Sequence, residues 1–419
     1  AYSNNLKVVR AANTTTTLNA TANGSGVLIK NQDDYTSNRE SATNTSYGPM
    51  AAKYAGALGN TLRVSICPSS QAYSANLTVT DSLRANAVSS GDTIINVNGN
   101  ANAAANIVAG DLISVDGGTT YIRAASVNAT AIVLSTAVSA AVSANTPILR
   151  KWQYAGDFGV APGTSSYVSD KTGSGDEMHI IVIDEDGKFT GTANTVLEKY
   201  AFVSKASDAT NNDGSANYYE TVINTQSQYV WWLGHLPGAS NWGNAANATT
   251  FTNLNNVQSY SLSAGADGTI GNSEIITAYG FFANPDVVDV SLLMTGPGNA
   301  TVAASVISTA ETRKDCIAVV TPFDYTFLAT NSANSCTEYL LDNFGTQINT
   351  DSKLYSTFNT YSSIYGNMKY QYDKFNDVNR WICLAGDVAG LYAQTDKTND
   401  TWWAPAGSSR GVVKNCIKL

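Results

Sequence analysis

The hydrophobic pattern of the chain changes near residue 262, and this change constrains its fold most strongly. Before it, short stretches alternate apolar and polar residues between Gly-, Asn- and Asp-rich turns, which is typical of β-strands with one buried face. After it, short apolar stretches alternate with segments of helical periodicity, which is typical of strands joined by crossover helices. The pattern predicts a multidomain α+β protein, with a β-rich domain followed by an α/β domain.

Residues 79–150 differ from the rest of the β-rich part because Tyr121 is their only aromatic residue. Alternating strand patterns in this stretch are separated by Gly-Asp and Asp-Gly turns. Since a surface loop accepts a long insertion at small entropic cost, we expect a small all-β module inserted into the β-rich domain. The predicted domains are 1–78 and 151–261 for the two parts of the β-rich domain, 79–150 for the module, and 262–419 for the α/β domain.

Local patterns give further predictions for individual elements. In the first part we expect strands at 4–11, 25–31 and 61–67, a short helix before residue 61, a hairpin at 179–191 turning at Asp186-Gly187, and a strand at 218–236. In the second part we expect helices at 272–285, 298–315, 331–347 and 381–396, strands at 287–296 and 316–323, and a strand pair at 362–375.

Charge and cysteine content exclude several classes of function. The chain has 24 basic and 33 acidic residues, a net charge of −9, and no Lys/Arg run, so direct binding to nucleic acid is disfavoured. No apolar run approaches the roughly 20 residues of a membrane span, so membrane insertion is not expected. The five cysteines are widely spaced without a Cys-x-x-Cys pair, which predicts buried reduced thiols.

Patterns that could support catalysis are weak. His179 and His235 lack Cys or His neighbours at ligand spacing, and no Gly-x-Ser-x-Gly elbow occurs. "TGPGNATV" at 295–302 has Thr301 where a dinucleotide loop has its third glycine, so a turn into a helix is the better interpretation. "DEDGKFTG" at 184–191 lacks the later acidic residues of a calcium loop. We therefore predict no catalytic, cofactor or metal residue and no enzymatic activity.

The segment 368–411 combines seven aromatic residues with a series of charges. Aromatic and Arg side chains anchor protein interfaces, and peripheral charges set their register. We expect this segment to provide inter-subunit contacts or core anchors. The candidates are Lys369, Tyr372, Asp373, Lys374, Asp377, Arg380, Trp381, Asp387, Asp396, Trp402, Trp403 and Arg410.

Three ordered motifs in this segment, "KYQYDKFNDVNRW", "LAGDVAGLYAQTD" and "TWWAPAGSSRGVVKN", resemble motifs of the tail sheath protein of contractile-tailed bacteriophages (myoviruses). Further back, "KYAGALGNTLRVSIC", "FFANPDVVDVSLLMTG" and "NNLKVVRAAN" are similar to other segments of that family. The resemblance extends from end to end, except that residues 79–150 rest on the local strand pattern alone.

The resemblance implies a structural virion protein without enzymatic activity or cofactor. Copies would stack as hexameric rings wound helically around the tail tube and contract on a baseplate signal to drive the tube through the host envelope. Implied partners are further copies, the tail tube protein, and baseplate and tail terminator proteins, after assembly in the host cytoplasm. The module would face outward. The family has a terminal tube-side domain after the "RGVVKN" motif, which we expect to be absent from this sequence.

Two alternatives remain open from the sequence. The Asn-, Thr- and Gly-rich composition and the module also suit an extracellular β-rich adhesin or surface-layer protein. An enzyme with a Rossmann-like half would require nucleotide binding at the "TGPGNA" turn. The C-terminal motifs and the α/β part favour the sheath hypothesis over both.

Overall fold

A computed structural model describes residues 5–40, 46–77, 84–98, 103–296, 298–322, 333–349, 352–355 and 360–419. The chain divides into two compact units. The first unit consists of residues 14–268, and the second of residues 1–13 together with 269–419.

The first unit is mostly β-structure. Its strands are β1 (Asn19–Thr21), β2 (Met50–Ala55), β3 (Leu62–Cys67), β4 (Ser74–Leu77), β5 (Arg84–Ala85), β6 (Ile94–Asn98), β7 (Leu112–Ser114), β8 (Ile122–Val127), β9 (Ala131–Leu134), β10 (Thr146–Lys151), β11 (Glu177–Asp184), β12 (Thr195–Ser204), β13 (Val230–Trp232) and β14 (Gln258–Ser261). Its helices are α1 (Gln32–Asn38), α2 (Ser70–Tyr73), α3 (Ala103–Asn106), α4 (Ser166–Asp170) and α5 (Tyr219–Gln226), with 3-10 turns at Ala57–Thr61 and Ala155–Asp157.

The central sheet of this unit has the antiparallel order β12-β11-β3-β14. Strand β11 is buried on both faces, because alternate side chains of a strand point to opposite sides. Ile180 and Val182 pack into the main core, whereas Ile181 and Ile183 pack into a second core that contains Trp152. This double burial explains the uninterrupted apolar run of the strand. A smaller sheet of order β1-β2-β13 lies in the same unit.

Strands β5 to β10 form a small closed barrel. The sheet order is β4-β10-β5-β6-β9-β8-β7, and β7 also pairs with β10, which closes the ring. The barrel has a core of its own that includes Ile95, Ile113, Ile132 and Ile148. This core is aliphatic, and side chains of this kind fill the interior of a narrow barrel. The chain enters through β4 and leaves through β10, which pair antiparallel.

The second unit alternates helices and strands. Its strands are β15 (Leu292–Met294), β16 (Ile317–Val320), β17 (Gly345–Asn349), β18 (Ser352–Tyr355), β19 (Ser362–Ile364), β20 (Met368–Asp373) and β21 (Val378–Cys383). Its helices are α6 (Asn272–Gly280), α7 (Ala300–Arg313), α8 (Ala333–Phe344) and α9 (Ala385–Thr398).

A parallel sheet of order β15-β16-β19 forms the centre of the second unit. Alternate residues of β16 pack into different cores. Ala318 shares a core with Val306 of α7, whereas Val319 shares a core with Val388 of α9. The sheet is thus covered by helices on both faces, as parallel sheets usually are.

The mixture of helices with several separate sheets confirms an α+β protein at this level, while the predicted domain boundaries stay predictions.

The helices that begin at Asn272 and Ala300 occur where expected. The short helix expected before residue 61 occurs as the 3-10 turn at Ala57–Thr61, whereas residues 50–55 of the same stretch form strand β2, which pairs with both β1 and β13. The predicted strand at 218–236 is wrong in its first half, where α5 buries Tyr219, Val222 and Ile223 at helical spacing.

The segment 5–11, also expected to be a strand, is irregular, with Leu6 66% and Val8 78% exposed. The expected strand at 25–31 is limited to an isolated bridge between Val27 and Asn19. In the described part of the chain, no helix has both the length and the apolar character that crossing a membrane requires.

Candidate assembly surface

The motif-rich segment of the second unit begins with a hairpin of β20 and β21, in which Tyr370 pairs with Trp381. At its tip, the Asp373 carboxylate accepts hydrogen bonds from the backbone N–H of Phe375 at 3.0 Å and from the Asn376 amide at 2.7 Å. These hydrogen bonds lower the pKa of Asp373, and the bond from the Asn376 side chain has the largest effect. An Asp side chain that satisfies the following backbone donors is a common means of closing a turn.

The tip also carries an exposed ion pair. Arg380 Nε lies 3.0 Å from Asp373 Oδ2, and their side chains are 53% and 21% exposed. The Tyr372 hydroxyl donates to Asp377 Oδ1 at 2.7 Å, and this hydrogen bond raises the pKa of Tyr372. Asp377 has a φ of +53°, a left-handed conformation that an Asp residue tolerates at a turn. The side-chain bonds therefore hold the tip in one shape.

Phe375 lies at the end of the hairpin and is 86% exposed. The Lys374 ammonium lies 5.0 Å from the centre of its ring. Tyr372 is 44% exposed in the same hairpin. In protein interfaces, an exposed aromatic ring often serves as the apolar anchor and the charged groups around it form a polar rim. Phe375 and its charged neighbours have this arrangement.

The base of the hairpin is attached to helix α9. Lys369 is only 3% exposed, and its Nζ lies 2.6 Å from Asp387 Oδ1 and 3.0 Å from the Lys414 carbonyl oxygen. Asp387 occupies the first turn of α9, where a negative charge is also favoured by the helix dipole. This ion pair therefore acts within the chain.

The segment after α9 exposes two further indole rings. Trp402 is 76% and Trp403 37% exposed, and their ring centroids lie 5.3 Å apart. The Arg410 guanidinium lies 4.7 Å from the centre of the Trp403 ring. Gly407, with a φ of +97°, accepts a hydrogen bond from the Gly411 N–H at 2.9 Å and returns the chain so that Arg410 can reach Trp403.

An open cleft of about 1930 Å³ lies within the second unit. Its lining includes Asp387, Asp396, Trp402 and Trp403 from the motif-rich segment. Apolar residues from β15 also line it, among them Leu292. The cleft gives the segment a concave face in addition to the protruding hairpin.

The predicted site residues thus fall into three environments. Lys369 is buried, and Asp373, Trp381 and Asp387 are half-buried. The exposed candidates are Tyr372, Lys374, Asp377, Arg380, Asp396, Trp402, Trp403 and Arg410. The structure brings together Lys369 with Asp387, Asp373 with Arg380, Tyr372 with Asp377, and Trp403 with Trp402 and Arg410.

Two residues of this surface were not among the predicted candidates. Phe375 is its most exposed ring, and its position between Lys374 and Asn376 in a turn was the available signal. Lys418 lies over both Tyr370 and Trp381, at 5.0 and 5.4 Å from the ring centres. Its distance along the chain from the hairpin left no local signal.

The residues considered for catalysis have structural partners. Each histidine is hydrogen-bonded, His179 to the Val160 carbonyl and His235 to the Tyr219 hydroxyl. The turn after β15 leads into α7, whose first N–H groups are capped by the Asn299 side chain. Within the residues that the structure describes, no group of three or more His, Cys, Asp or Glu could hold a metal ion.

The "DEDGKFTG" loop is likewise organised by its own chain, because Asp184 accepts hydrogen bonds from the backbone N–H groups of Lys188, Phe189 and Thr190. The five cysteines are free, and Cys67, Cys316 and Cys336 are buried. Burial raises the pKa of the Cys67 thiol to about 12, which makes it unreactive.

The geometry defines a multidomain protein that presents exposed aromatic rings and charges on one hairpin and one C-terminal segment, which are features of proteins that bind other proteins. Comparison with known proteins finds similarity to tail sheath proteins of bacteriophages. The chain is 38% identical over 165 residues to the tail sheath protein of Enterobacteria phage T4, a match covering 38% of this chain and 25% of the relative. It is 33% identical over 174 residues to the tail sheath protein of Vibrio phage KVP40, covering 38% of this chain and 26% of the relative.

A third tail sheath protein, from Salmonella phage ViI, is 23% identical over an alignment of 448 residues that covers 100% of this chain and 63% of the relative. No protein-family model matches the chain. The matches span about a quarter of the first two relatives and 63% of the third. The similarity to tail sheath proteins of contractile-tailed phages that the motifs indicated is therefore confirmed.

Proposed function

We propose that the chain is a structural subunit of a contractile phage tail sheath, located in the virion. The observation that carries the proposal is the similarity to three tail sheath proteins, one of which aligns with the entire chain. The exposed rings of Phe375, Trp402 and Trp403 support it, because they provide contact area that a polymer of identical subunits can bury.

In this proposal, copies form hexameric rings that stack helically around a tail tube. A helical stack uses heterologous contacts, in which one face of a subunit meets a different face of the next and the series does not close. The hairpin tip and the cleft are two different surfaces of the second unit, and a heterologous contact joins two different surfaces. The tail tube, baseplate and tail terminator proteins are the further partners, and the closed barrel faces outward.

Contraction would move each subunit as a near-rigid body between two sets of neighbour contacts. The two ion pairs of the segment suit different parts of this movement. Asp373–Arg380 is exposed, and such a pair can be exchanged at small net cost. Lys369–Asp387 has a buried ammonium, so separating it is costly, and it keeps hairpin and helix together during the movement.

Negative-stain electron microscopy of the full-length protein, expressed alone and concentrated, tests the proposal. Hollow rings or striated tubes of uniform width are expected. A protein that stays monomeric at every concentration would contradict self-assembly and would favour the alternative of a β-rich adhesin or surface-layer protein. Binding to glycans or to bacterial cells would then be the property to measure.

A further inference from the structure

His179 lies in the middle of the first unit, on strand β11, and is fully buried. Aromatic rings surround it. The Phe158 ring stacks on it with centroids 4.4 Å apart, and Phe202 meets it edge-on at 4.5 Å. Trp152 and Tyr73 lie further out, at 6.5 and 6.3 Å. The imidazole is thus enclosed in an apolar cage, which disfavours a charged ring.

Both ring nitrogens have defined partners. Nε2 lies 2.9 Å from the Val160 carbonyl oxygen, and Nδ1 accepts a hydrogen bond from the Phe202 N–H at 3.1 Å. A carbonyl oxygen can only accept, and a backbone N–H can only donate. The ring therefore carries its proton on Nε2 and is neutral.

Phe202 has an unusual backbone. Its φ is +54°, a left-handed conformation that costs a bulky residue of the order of 1–3 kcal/mol. The pairing of β11 with β12 shifts register between Met178 and Ile180, so that the Phe202 N–H points to His179. The bond to Nδ1 thus holds a strained residue in place.

Three titratable side chains hold the loop formed by residues 158–165. Two of them, Glu177 and His179, belong to β11, and the third, Asp176, directly precedes this strand. His179 binds Val160, and Glu177 Oε2 accepts from the Gly163 N–H at 2.8 Å. Asp176 accepts from the Ser165 N–H at 2.8 Å and from its hydroxyl at 2.9 Å. Val160 itself is 65% exposed, so burial holds it little. Further along the loop, the Glu177 N–H donates to the Gly163 carbonyl at 3.2 Å and the Gly175 N–H to Thr164 Oγ1 at 2.9 Å, so His179 is the attachment of the loop at Val160.

We propose that His179 is a proton-sensitive latch for the loop 158–165 and for the backbone of Phe202. A second proton, on Nδ1, would turn the acceptor of the Phe202 N–H into a donor, and two donors cannot bond. Phe202 would then leave its strained conformation, the ring would move out of the cage, and the loop would lose its attachment at Val160.

Burial lowers the pKa of His179 below its ordinary value and sets the direction of the pH effect. The hydrogen bond to Val160 raises this pKa but does not outweigh burial. An open loop with a hydrated ring therefore binds a proton more readily than the closed one. The closed state is favoured above the ordinary His pKa of about 6.5 and is lost as the pH falls through the lowered value.

Other titratable groups on the elements around the ring do not reproduce this effect. Burial raises the pKa of Glu177, so falling pH favours the folded state at that position. On β3, Cys67 is in register with His179, and burial raises the pKa of its thiol to about 12. Further charged groups of these elements are Asp157 and Lys199, paired at 3.1 Å, Asp176, Glu198, Arg63 on β3 and Asp184 on β11, whose pKa lies below its ordinary value. Burial lowers the pKa of Lys205 to about 8, so this group changes its charge mostly above neutral pH.

Amide hydrogen exchange of the full chain, corrected for the intrinsic effect of pH, tests the latch. Between about pH 7.5 and about pH 5, we expect protection at Phe202 and in the loop to fall by roughly tenfold or more. Amides of Val64 and Ile66 in the fully buried strand β3 should keep their protection. Unchanged protection at Phe202 and the loop, or an equal loss in β3, would overturn the proposal.

Three variants separate the groups involved. His179→Gln should abolish the pH dependence of loop exchange, whereas His235→Gln and Glu177→Gln should retain it. Persistence of the effect in His179→Gln would overturn the proposal. If that variant does not fold, nitrogen NMR of the His235→Gln protein, with His179 as its single histidine, should show the Nε2–H tautomer and a pKa below the ordinary value. An ordinary or raised pKa would contradict the latch.

Discussion

Lys369 of strand β20 and Asp387 of helix α9 form an ion pair, with Nζ 2.6 Å from Oδ1 and only 4% of the lysine side chain exposed. Removing one partner of a buried pair leaves the other charge without compensation. We expect Lys369→Met to lower the free energy of unfolding by about 3 kcal/mol in urea denaturation. Lys374→Met, at an exposed lysine of the same hairpin, is the matched control and should change it little. Equal effects of the two variants would contradict an anchoring role for Lys369.

The exposed pair Asp373–Arg380 should behave in the opposite way. Arg380→Ala should leave the free energy of unfolding nearly unchanged, since exposed pairs contribute little. If the hairpin tip contacts another copy, the variant should nevertheless reduce self-assembly in sedimentation experiments. Lys171→Ala breaks a comparably exposed pair with Asp208 in the first unit and serves as control. Loss of assembly in both variants to the same extent would argue against a specific role for the tip.

Asp184 is fully buried and accepts five hydrogen bonds, from the hydroxyls of Thr61 and Thr190 and from three backbone N–H groups. Burial acts to raise its pKa, but these bonds together lower it. Its contribution to stability is therefore present above the ordinary Asp pKa and is lost as the pH falls through the lowered value. Asp184→Asn should cost about 2 kcal/mol near neutral pH, because an amide nitrogen cannot accept. Urea denaturation at neutral and acidic pH measures both effects, and an unchanged stability near neutral pH would refute this assignment.

Asp111 should show the reverse pH dependence. It is buried beside Arg150 directly before β7, and burial raises its pKa to about 6, although the charge of Arg150 acts in the opposite direction. The folded state then binds a proton more readily than the unfolded state. Stability from this group is full below the ordinary Asp pKa and falls as the pH rises through about 6. Carbon NMR titration of the carboxyl should give this raised pKa, and Asp111→Asn should remove the corresponding pH dependence of unfolding. A carboxyl that titrates at its ordinary value would refute the prediction.

Several elements could be predicted from the sequence because a local pattern dictates them. Helix α7 carries Val302, Val306 and Ala310 at helical spacing and begins after an Asn cap, and β16 is a short apolar run. Helix α5 could not be identified in the same way. Its Tyr219, Val222 and Ile223 are residues with high strand propensity, so tertiary packing overrides the local preference.

The candidate surface could be located from the sequence but not resolved into roles. Its density of aromatic residues marked the segment, yet the same residue types serve different purposes. Trp381 is half-buried against Tyr370, whereas Trp402 is largely exposed. Lys369 is buried because Asp387, far along the chain, compensates its charge, and a lysine by itself predicts an exposed side chain. These differences depend on long-range pairing, which no local pattern contains.

The central claim is that the chain assembles with itself through the surface that carries Phe375 and Trp402. Sedimentation velocity of concentrated full-length protein, compared with Phe375→Ser and Trp402→Ser, tests it most directly. Phe281→Ser is the matched control, because Phe281 is 67% exposed in the same unit but lies outside the segment. We predict that the wild type and the control form large assemblies and that each of the other two variants reduces the assembled fraction by about tenfold or more. A wild type that remains monomeric, or a control as defective as the two variants, would contradict the claim.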